Sequence, residues 1–105
     1  MMECSCQYNK IFQRIKNLSS KEKKNLLQKM VKLQEEVGEL AEAVLIHENA
    51  SGSEYKSKNE HAIEKEITDI LLVSLDMFYS LNPSEGLLEH LLTEKSQKWE
   101  HFQSK

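Results

Sequence analysis

The chain has 105 residues, of which 39% are hydrophobic and 30% charged, so it can build one compact core and we expect a single domain over residues 1–105. Its 17 acidic and 14 basic residues give a formal charge of -3, which argues against binding to a nucleic acid polymer. Only 3 Gly and 1 Pro are present, fewer than a sandwich or barrel with many tight turns needs. We therefore expect an all-α fold of long helices.

The apolar runs and the cysteines indicate where the protein works. No apolar run approaches the roughly 20 residues that cross a bilayer, and no signal-peptide pattern is present at the N-terminus. We therefore expect a cytoplasmic protein that does not contact a membrane. Cys4 and Cys6 form a lone Cys-x-Cys, which cannot close a structural zinc site, so we interpret both thiols as reduced and incidental.

Two helices are predicted in the N-terminal half. Apolar residues at helical spacing predict a short helix over residues 8–18. Ser19 followed by Glu22 has the form of a capping box, which predicts a second helix from about residue 20 to 48. Its apolar residues step by three or four and draw one stripe along the helix: Leu26, Met30, Leu33, Val37, Leu40 and Val44.

The C-terminal half begins with a polar segment, residues 49–59, that is typical of a connecting loop. Helical spacing returns over residues 60–81, where apolar residues crowd the whole circumference, so we expect this third helix at the centre or at a subunit interface. Residues 82–85 supply a cap and a proline for the first position of a fourth helix, residues 83–103. That helix is expected to bury six apolar side chains: Leu87, Leu88, Leu91, Leu92, Trp99 and Phe102.

Two pairs of carboxylates at i,i+3 spacing are the strongest chemical signal. Glu36 and Glu39 lie on the second helix, and Glu66 and Asp69 lie on the third. At about 100° per residue, both pairs fall on matching flanks, so the four carboxylates converge if the two helices pack antiparallel. Convergent carboxylates need compensating protons or cations, and oxygen ligands select hard ions such as Mg²⁺, with Mn²⁺ as a substitute. Because magnesium keeps positions open for phosphate oxygens, a phosphate-bearing substrate is favoured.

The same acids also fit a plain solvated helix face. Glutamate is a good helix former, and Lys32 to Glu36 and Lys65 to Asp69 have the spacing of ordinary i,i+4 ion pairs. No histidine follows a glutamate by three residues, which argues against the di-iron chemistry of some helical bundles. The four histidines are interpreted as surface residues: His47, His61, His90 and His101.

Two segments resemble the signature stretches of the MazG-like nucleoside triphosphate pyrophosphohydrolases. Residues 32–44, KLQEEVGELAEAV, match the EExxE pattern, and residues 65–73, KEITDILLV, match ExxD. The resemblance extends over about residues 20–103. It implies an antiparallel four-helix bundle completed by oligomerisation, as a homodimer or homotetramer. It also implies magnesium-dependent cleavage of nucleoside triphosphates, with canonical or aberrant dNTPs as the expected substrates, to a monophosphate and pyrophosphate, as in house-cleaning enzymes.

Site roles follow from the resemblance by motif position. The implied metal ligands are Glu36, Glu39, Glu66 and Asp69, and the implied catalytic group is Glu35, Glu36 and Glu39. Glu35 would orient water or a second metal. The family often carries a C-terminal Lys-aromatic-x-Arg-Arg stretch, of which Lys98 and Trp99 are present but both arginines are missing.

The remaining substrate contacts are expected on weaker signals. Lys98, with Lys95, is a candidate for phosphate contact, and Phe12 on the first helix is a candidate pocket residue. Three further residues could approach a bound nucleotide from the polar loop: Tyr55, Lys56 and Lys58. Two other functions stay open: phosphoribosyl-ATP pyrophosphohydrolase, and a non-enzymatic helical module for oligomerisation or regulation.

Overall fold

The computed structural model describes residues 2–49 and 60–104, with side chains from residue 7 onwards. Within these ranges the chain is all-helical, as predicted, with four α-helices and no strand. The helices are α1 (Met2–Lys21), α2 (Leu26–His47), α3 (Ala62–Ser80) and α4 (Leu87–Gln103). None of the described helices combines the length and apolarity that crossing a membrane requires.

The start of α2 differs from the prediction. Asn25 caps the helix: its Oδ1 accepts from the backbone N–H of Gln28 at 2.8 Å, and Gln28 Oε1 accepts from the Asn25 N–H at 2.9 Å. The predicted capping box at Ser19 and Glu22 is therefore wrong. Ser19 lies inside α1, which continues to Lys21, and its side chain is buried against α3 instead of capping α2.

The start of α4 is also later than predicted. Gly86 is the N-cap, with φ of 85°, a left-handed conformation that glycine adopts without a Cβ clash. Pro83 therefore lies in the connection between α3 and α4 and not at the first helical position. Leu87, Leu88 and Leu91 are half-buried.

The predicted burial of α4 from Leu92 onwards is wrong within one chain. Three of its apolar residues remain mostly exposed: Leu92 at 56%, Trp99 at 67% and Phe102 at 57%. The reason is that α4 does not approach the other described helices closely; only its first turns adjoin α1 and the end of α3, across an open groove lined by Phe12 and Leu88. The four helices are thus an open arrangement and not a closed bundle.

The central element is α3, as its apolar composition predicts. It packs against α2 and against α1, whereas α1 and α2 do not pack on each other within the described residues. Leu75 on α3, 6% exposed, is the one apolar residue among the described side chains that is less than a tenth exposed. The radius of gyration is 17.0 Å, against about 13 Å for a compact domain of this length. A single chain therefore has a thin core.

A buried polar contact ties the three packed helices together. Lys29 Nζ of α2 lies 3.0 Å from Asp76 Oδ1 of α3, and Lys29 is only 4% exposed. Ser19 Oγ of α1 donates to the same Asp76 Oδ1 at 2.5 Å. Because a buried ammonium needs its counter-ion, this contact restricts how α1, α2 and α3 can pack.

Removing one partner of this contact should destabilise the protein strongly. Asp76→Asn leaves the Lys29 ammonium buried without a counter-ion, so we expect a loss of about 3 kcal/mol in the free energy of unfolding. Urea unfolding, followed by circular dichroism at a fixed protein concentration, measures it. The double variant Lys29→Met/Asp76→Leu should recover most of the loss, because no charge is then left unpaired. An Asp76→Asn variant as stable as the wild type would contradict the structural role.

Candidate metal centre

The pairing of α2 with α3 brings the acids of the two helices together. Lys29 contacts Asp76 at one end of the pair. Glu36 follows Lys29 by seven residues on α2, and Asp69 precedes Asp76 by seven residues on α3. Seven residues are about two helical turns, and one carboxylate oxygen of Glu36 lies within 4.8 Å of one of Asp69. Both contacts can form only if α2 and α3 run in opposite directions. The antiparallel packing on which the predicted convergence depends is therefore present.

Five carboxylates form an acidic cluster along this seam, in two overlapping groups. One group is Glu36, Glu66 and Asp69, and the other is Glu35, Glu36 and Glu39. Within each group, one ligand oxygen per residue lies within 4.8 Å of the others. Glu36 belongs to both groups, so it is the residue through which the acids of α2 and α3 meet.

Two oxygen atoms of the cluster are buried without a hydrogen-bond partner among the described residues: Glu36 Oε2 and Glu66 Oε2. Glu36 is only 6% exposed although it is a glutamate. A buried carboxylate oxygen without a partner is costly, and a bound cation would satisfy it. Because every donor is a carboxylate oxygen, the set fits a hard divalent ion, Mg²⁺ or Mn²⁺.

Lys32 and Glu39 report the electrostatic state of the cluster. Lys32 Nζ lies 3.1 Å from Glu36 Oε1 and 3.2 Å from Glu35 Oε1, and these two hydrogen-bonded carboxylates raise the lysine pKa. The negative charge of Glu36 is the largest of the effects that raise the pKa of Glu39; desolvation and Glu66 add to it. The cluster therefore holds its carboxylates in mutual repulsion, which a divalent cation would relieve.

An open groove of about 780 Å³ adjoins the cluster between α2 and α3. Glu39 and Glu66 lie on its wall, so a ligand in the groove would touch the acids directly. The side chains of Ile46 and Ile63 contribute apolar surface, and His47 and His61 line the same groove. This mixture of apolar surface and imidazoles beside carboxylates suits a ligand with one charged and one planar part.

The predicted substrate residues do not meet the cluster within one chain. Phe12 is half-buried in a separate groove of about 850 Å³, with Phe78 and Tyr79 at the far end of α3. Lys95 and Lys98 are exposed on α4, which packs against none of the other described helices. Three predicted loop residues lie outside the described part of the chain: Tyr55, Lys56 and Lys58.

The histidines are exposed, as predicted, with side-chain exposures of 63% for His47, 62% for His61 and 70% for His90. His101 is exposed on α4. The predicted surface character of the four histidines is therefore confirmed.

Sequence reasoning missed Lys29 and Asp76. Lys29 lies next to the apolar stripe of α2, where a lysine usually extends to solvent. A signal was nevertheless present, because Lys29 and Glu36 are oppositely charged residues seven apart on one face of the helix. They are also the two residues of α2 that the structure buries fully. Opposite charges at heptad spacing on a buried face could have indicated the contact.

Searches of protein families, of curated proteins and of solved structures find no match to this chain. The two sequence motifs and the geometry of the acidic cluster are therefore the features that indicate a function.

Glu39 should make the stability of the metal-free protein depend on pH. Its raised pKa means that the folded state holds the Glu39 proton more tightly than the unfolded chain does, so ionisation lowers stability as the pH rises. Glu39→Gln should therefore raise Tm in EDTA at pH 7. The gain should disappear below about pH 4, where the unfolded chain also protonates glutamate.

Thermal unfolding in EDTA between about pH 3 and 7 measures this difference. Glu89→Gln is the matched control, because Glu89 is an exposed acid on α4 away from the cluster. It should show no such gain at pH 7. A Glu39→Gln variant that is less stable than the wild type at pH 7 would contradict the repulsion within the cluster.

Proposed function

We propose that this protein is a magnesium-dependent hydrolase that cleaves nucleoside triphosphates to a nucleoside monophosphate and pyrophosphate. The observation that carries the proposal is the acidic cluster, where five carboxylates meet and two buried oxygens have no partner in the described chain. The resemblance of its two motifs to the MazG-like enzymes supports nucleoside triphosphates, and dNTPs in particular, as the phosphate-bearing substrates.

The residues of the cluster divide into a buried part and an exposed part. Glu36, Glu66 and Asp69 would hold the ion, because two of them carry the unpartnered oxygens. A bound Mg²⁺ supplies neutralisation of the triphosphate charge and activation of water for attack on phosphorus. Glu36 also belongs to the second group, with Glu35 and Glu39, so one carboxylate would serve both groups.

Glu39 and Glu35 would act on the reacting water. Glu39 is exposed at the wall of the groove, and its raised pKa favours a carboxylate that accepts a proton from the attacking water. Glu35 is exposed at the edge of the cluster, where it would orient that water. The adjoining groove would hold the nucleoside, with base and sugar against its apolar wall.

A second copy of this chain is the partner that the surface fits. The chain exposes 8800 Å², about 2,700 Å² more than the roughly 6,100 Å² expected for a compact monomer of this mass. If each of two copies covered that excess, the interface would bury about 5,400 Å² in total, the size of a large obligate dimer interface. Met30, Val37 and Val44 form a heptad-spaced stripe on α2 that stays 39–49% exposed. Because α4 packs on no described helix, phosphate contact by Lys95 and Lys98 would need such a second copy.

The non-enzymatic helical module has one observation in its favour, which is the same exposed apolar stripe. An oligomerisation module does not, however, need buried carboxylate oxygens without partners, because buried unpaired acids destabilise a helical assembly. The hydrolase accounts for both features.

A nucleotide panel tests the activity. The purified protein is incubated with Mg²⁺ and with canonical and oxidised dNTPs, NTPs and phosphoribosyl-ATP, and pyrophosphate is measured separately from orthophosphate. We expect pyrophosphate and a monophosphate from at least one triphosphate. Glu36→Gln and Asp69→Asn should lower kcat at least about a hundredfold, because each removes a ligand charge, with helical content unchanged. Release of orthophosphate alone, or full activity in Asp69→Asn, would refute the proposal.

Measuring the oligomeric state tests whether a second copy of this chain is the partner. Sedimentation equilibrium at micromolar protein should give a dimer or tetramer of the 12.2 kDa chain. Val44→Glu places a charge in the apolar stripe and should shift the protein toward monomer. Lys24→Glu, a charge change at an exposed position in the α1–α2 connection, is the control and should leave the mass unchanged. A monomeric wild type would contradict the second copy.

A further inference from the structure

Lys32 lies at the edge of the acidic cluster and contacts two of its carboxylates at once. Its Nζ is 3.1 Å from Glu36 Oε1 and 3.2 Å from Glu35 Oε1. The lysine side chain is 43% exposed, whereas the Glu36 side chain is 8% exposed. The ammonium is therefore held by the acids, but its flexible four-carbon stem remains free to take another rotamer toward solvent.

This contact satisfies only one edge of the cluster. Lys32 binds Oε1 of Glu36, while Oε2 of the same carboxylate has no partner among the described residues. Glu36 is also the residue shared by the two groups of carboxylates. A single ammonium at this position therefore neutralises part of the charge and competes with any cation for the lone pairs of Glu36.

We propose that Lys32 is the counter-ion of the metal-free cluster. When Glu35 and Glu36 bind a divalent cation, the Lys32 side chain changes rotamer, and its ammonium leaves these carboxylates and contacts a phosphate oxygen of the substrate. This inference rests on the proposed function. Two positive charges cannot share one carboxylate without repulsion, so cation binding at Glu36 weakens the hold on Lys32. The released ammonium stays within a side chain's length of the cluster, where a triphosphate would lie, and lysine is a common phosphate partner.

The proposal predicts effects of opposite sign on two measurements. Lys32→Met removes the competing charge, so the free protein should bind Mn²⁺ about three- to tenfold more tightly. The same variant loses a phosphate contact, so kcat/KM for the best nucleotide should fall about tenfold or more. If Lys32 only stabilised the fold, its replacement would not strengthen Mn²⁺ binding and weaken turnover at the same time.

The experiment compares the wild type with Lys32→Met, Lys32→Arg and the control Lys24→Met, which removes an exposed lysine away from the cluster. Mn²⁺ affinity is measured on the nucleotide-free protein by electron paramagnetic resonance of the unbound ion, and thermal unfolding verifies that each variant is folded. Lys32→Arg should keep wild-type Mn²⁺ affinity and part of the turnover, and Lys24→Met should change neither. Affinity of the Mn²⁺-loaded protein for pyrophosphate, by calorimetry, reports the phosphate contact independently of turnover.

The outcomes separate this proposal from the proposed function. Unchanged or weaker Mn²⁺ binding in Lys32→Met overturns the counter-ion role, and unchanged affinity for pyrophosphate together with unchanged kcat/KM overturns the phosphate contact. A wild type that binds Mn²⁺ but hydrolyses no nucleotide refutes the proposed function, whereas Mn²⁺ and pyrophosphate affinities still decide the role of Lys32. A wild type that binds no Mn²⁺ overturns both.

Discussion

The antiparallel register of α2 against α3 is the constraint on which the rest of this structure depends. It is held by the contact of Lys29 with Asp76, which also binds Ser19 of α1. Leu75 is the one apolar residue of the described side chains below a tenth exposed, and the other apolar residues of the α2–α3 contact are at most half-buried, so apolar packing alone constrains the alignment less than in a dense core. An ion pair with a buried lysine is well suited to this task, because a slip of one turn would leave both charges unpaired.

The same register creates the electrostatic cost of the structure. With Lys29 against Asp76, the next two turns place Glu36 opposite Asp69 and bring Glu66 and Glu39 alongside. The attraction between Lys29 and Asp76 at one end of the α2–α3 contact thus keeps the carboxylates of the acidic cluster close together in spite of their mutual repulsion. A local conflict of this kind lowers stability, and it is typical of functional sites, where a ligand relieves what the fold itself leaves unsatisfied.

The helices and the convergence of the acids could be predicted because both depend on short-range periodicity. Glu66 and Asp69 share a face wherever an α-helix forms, and the apolar period establishes that helix. The caps were harder to predict, because Ser19 and Asn25 are each followed three residues later by a residue that can close a capping box, Glu22 and Gln28. In the structure Ser19 lies inside α1 and bonds to Asp76, and Asn25 is the cap of α2. Trp99 was expected in a core, but that required α4 to pack on its own chain.

By itself, the sequence determined four helices, an acidic face on two of them and an apolar excess beyond what so short a chain can bury, because each is a property of composition and of periods within one helix. The tertiary structure decided which face of α2 turns inward. That face carries Lys29 and Glu36 together with the half-buried Leu33 and Leu40, while the other edge of the apolar stripe, with Val37 and Val44, remains exposed. Helical periodicity gives angles around one axis but not the rotation of one helix against another, and here the long-range pairing of Lys29 with Asp76 fixes that rotation.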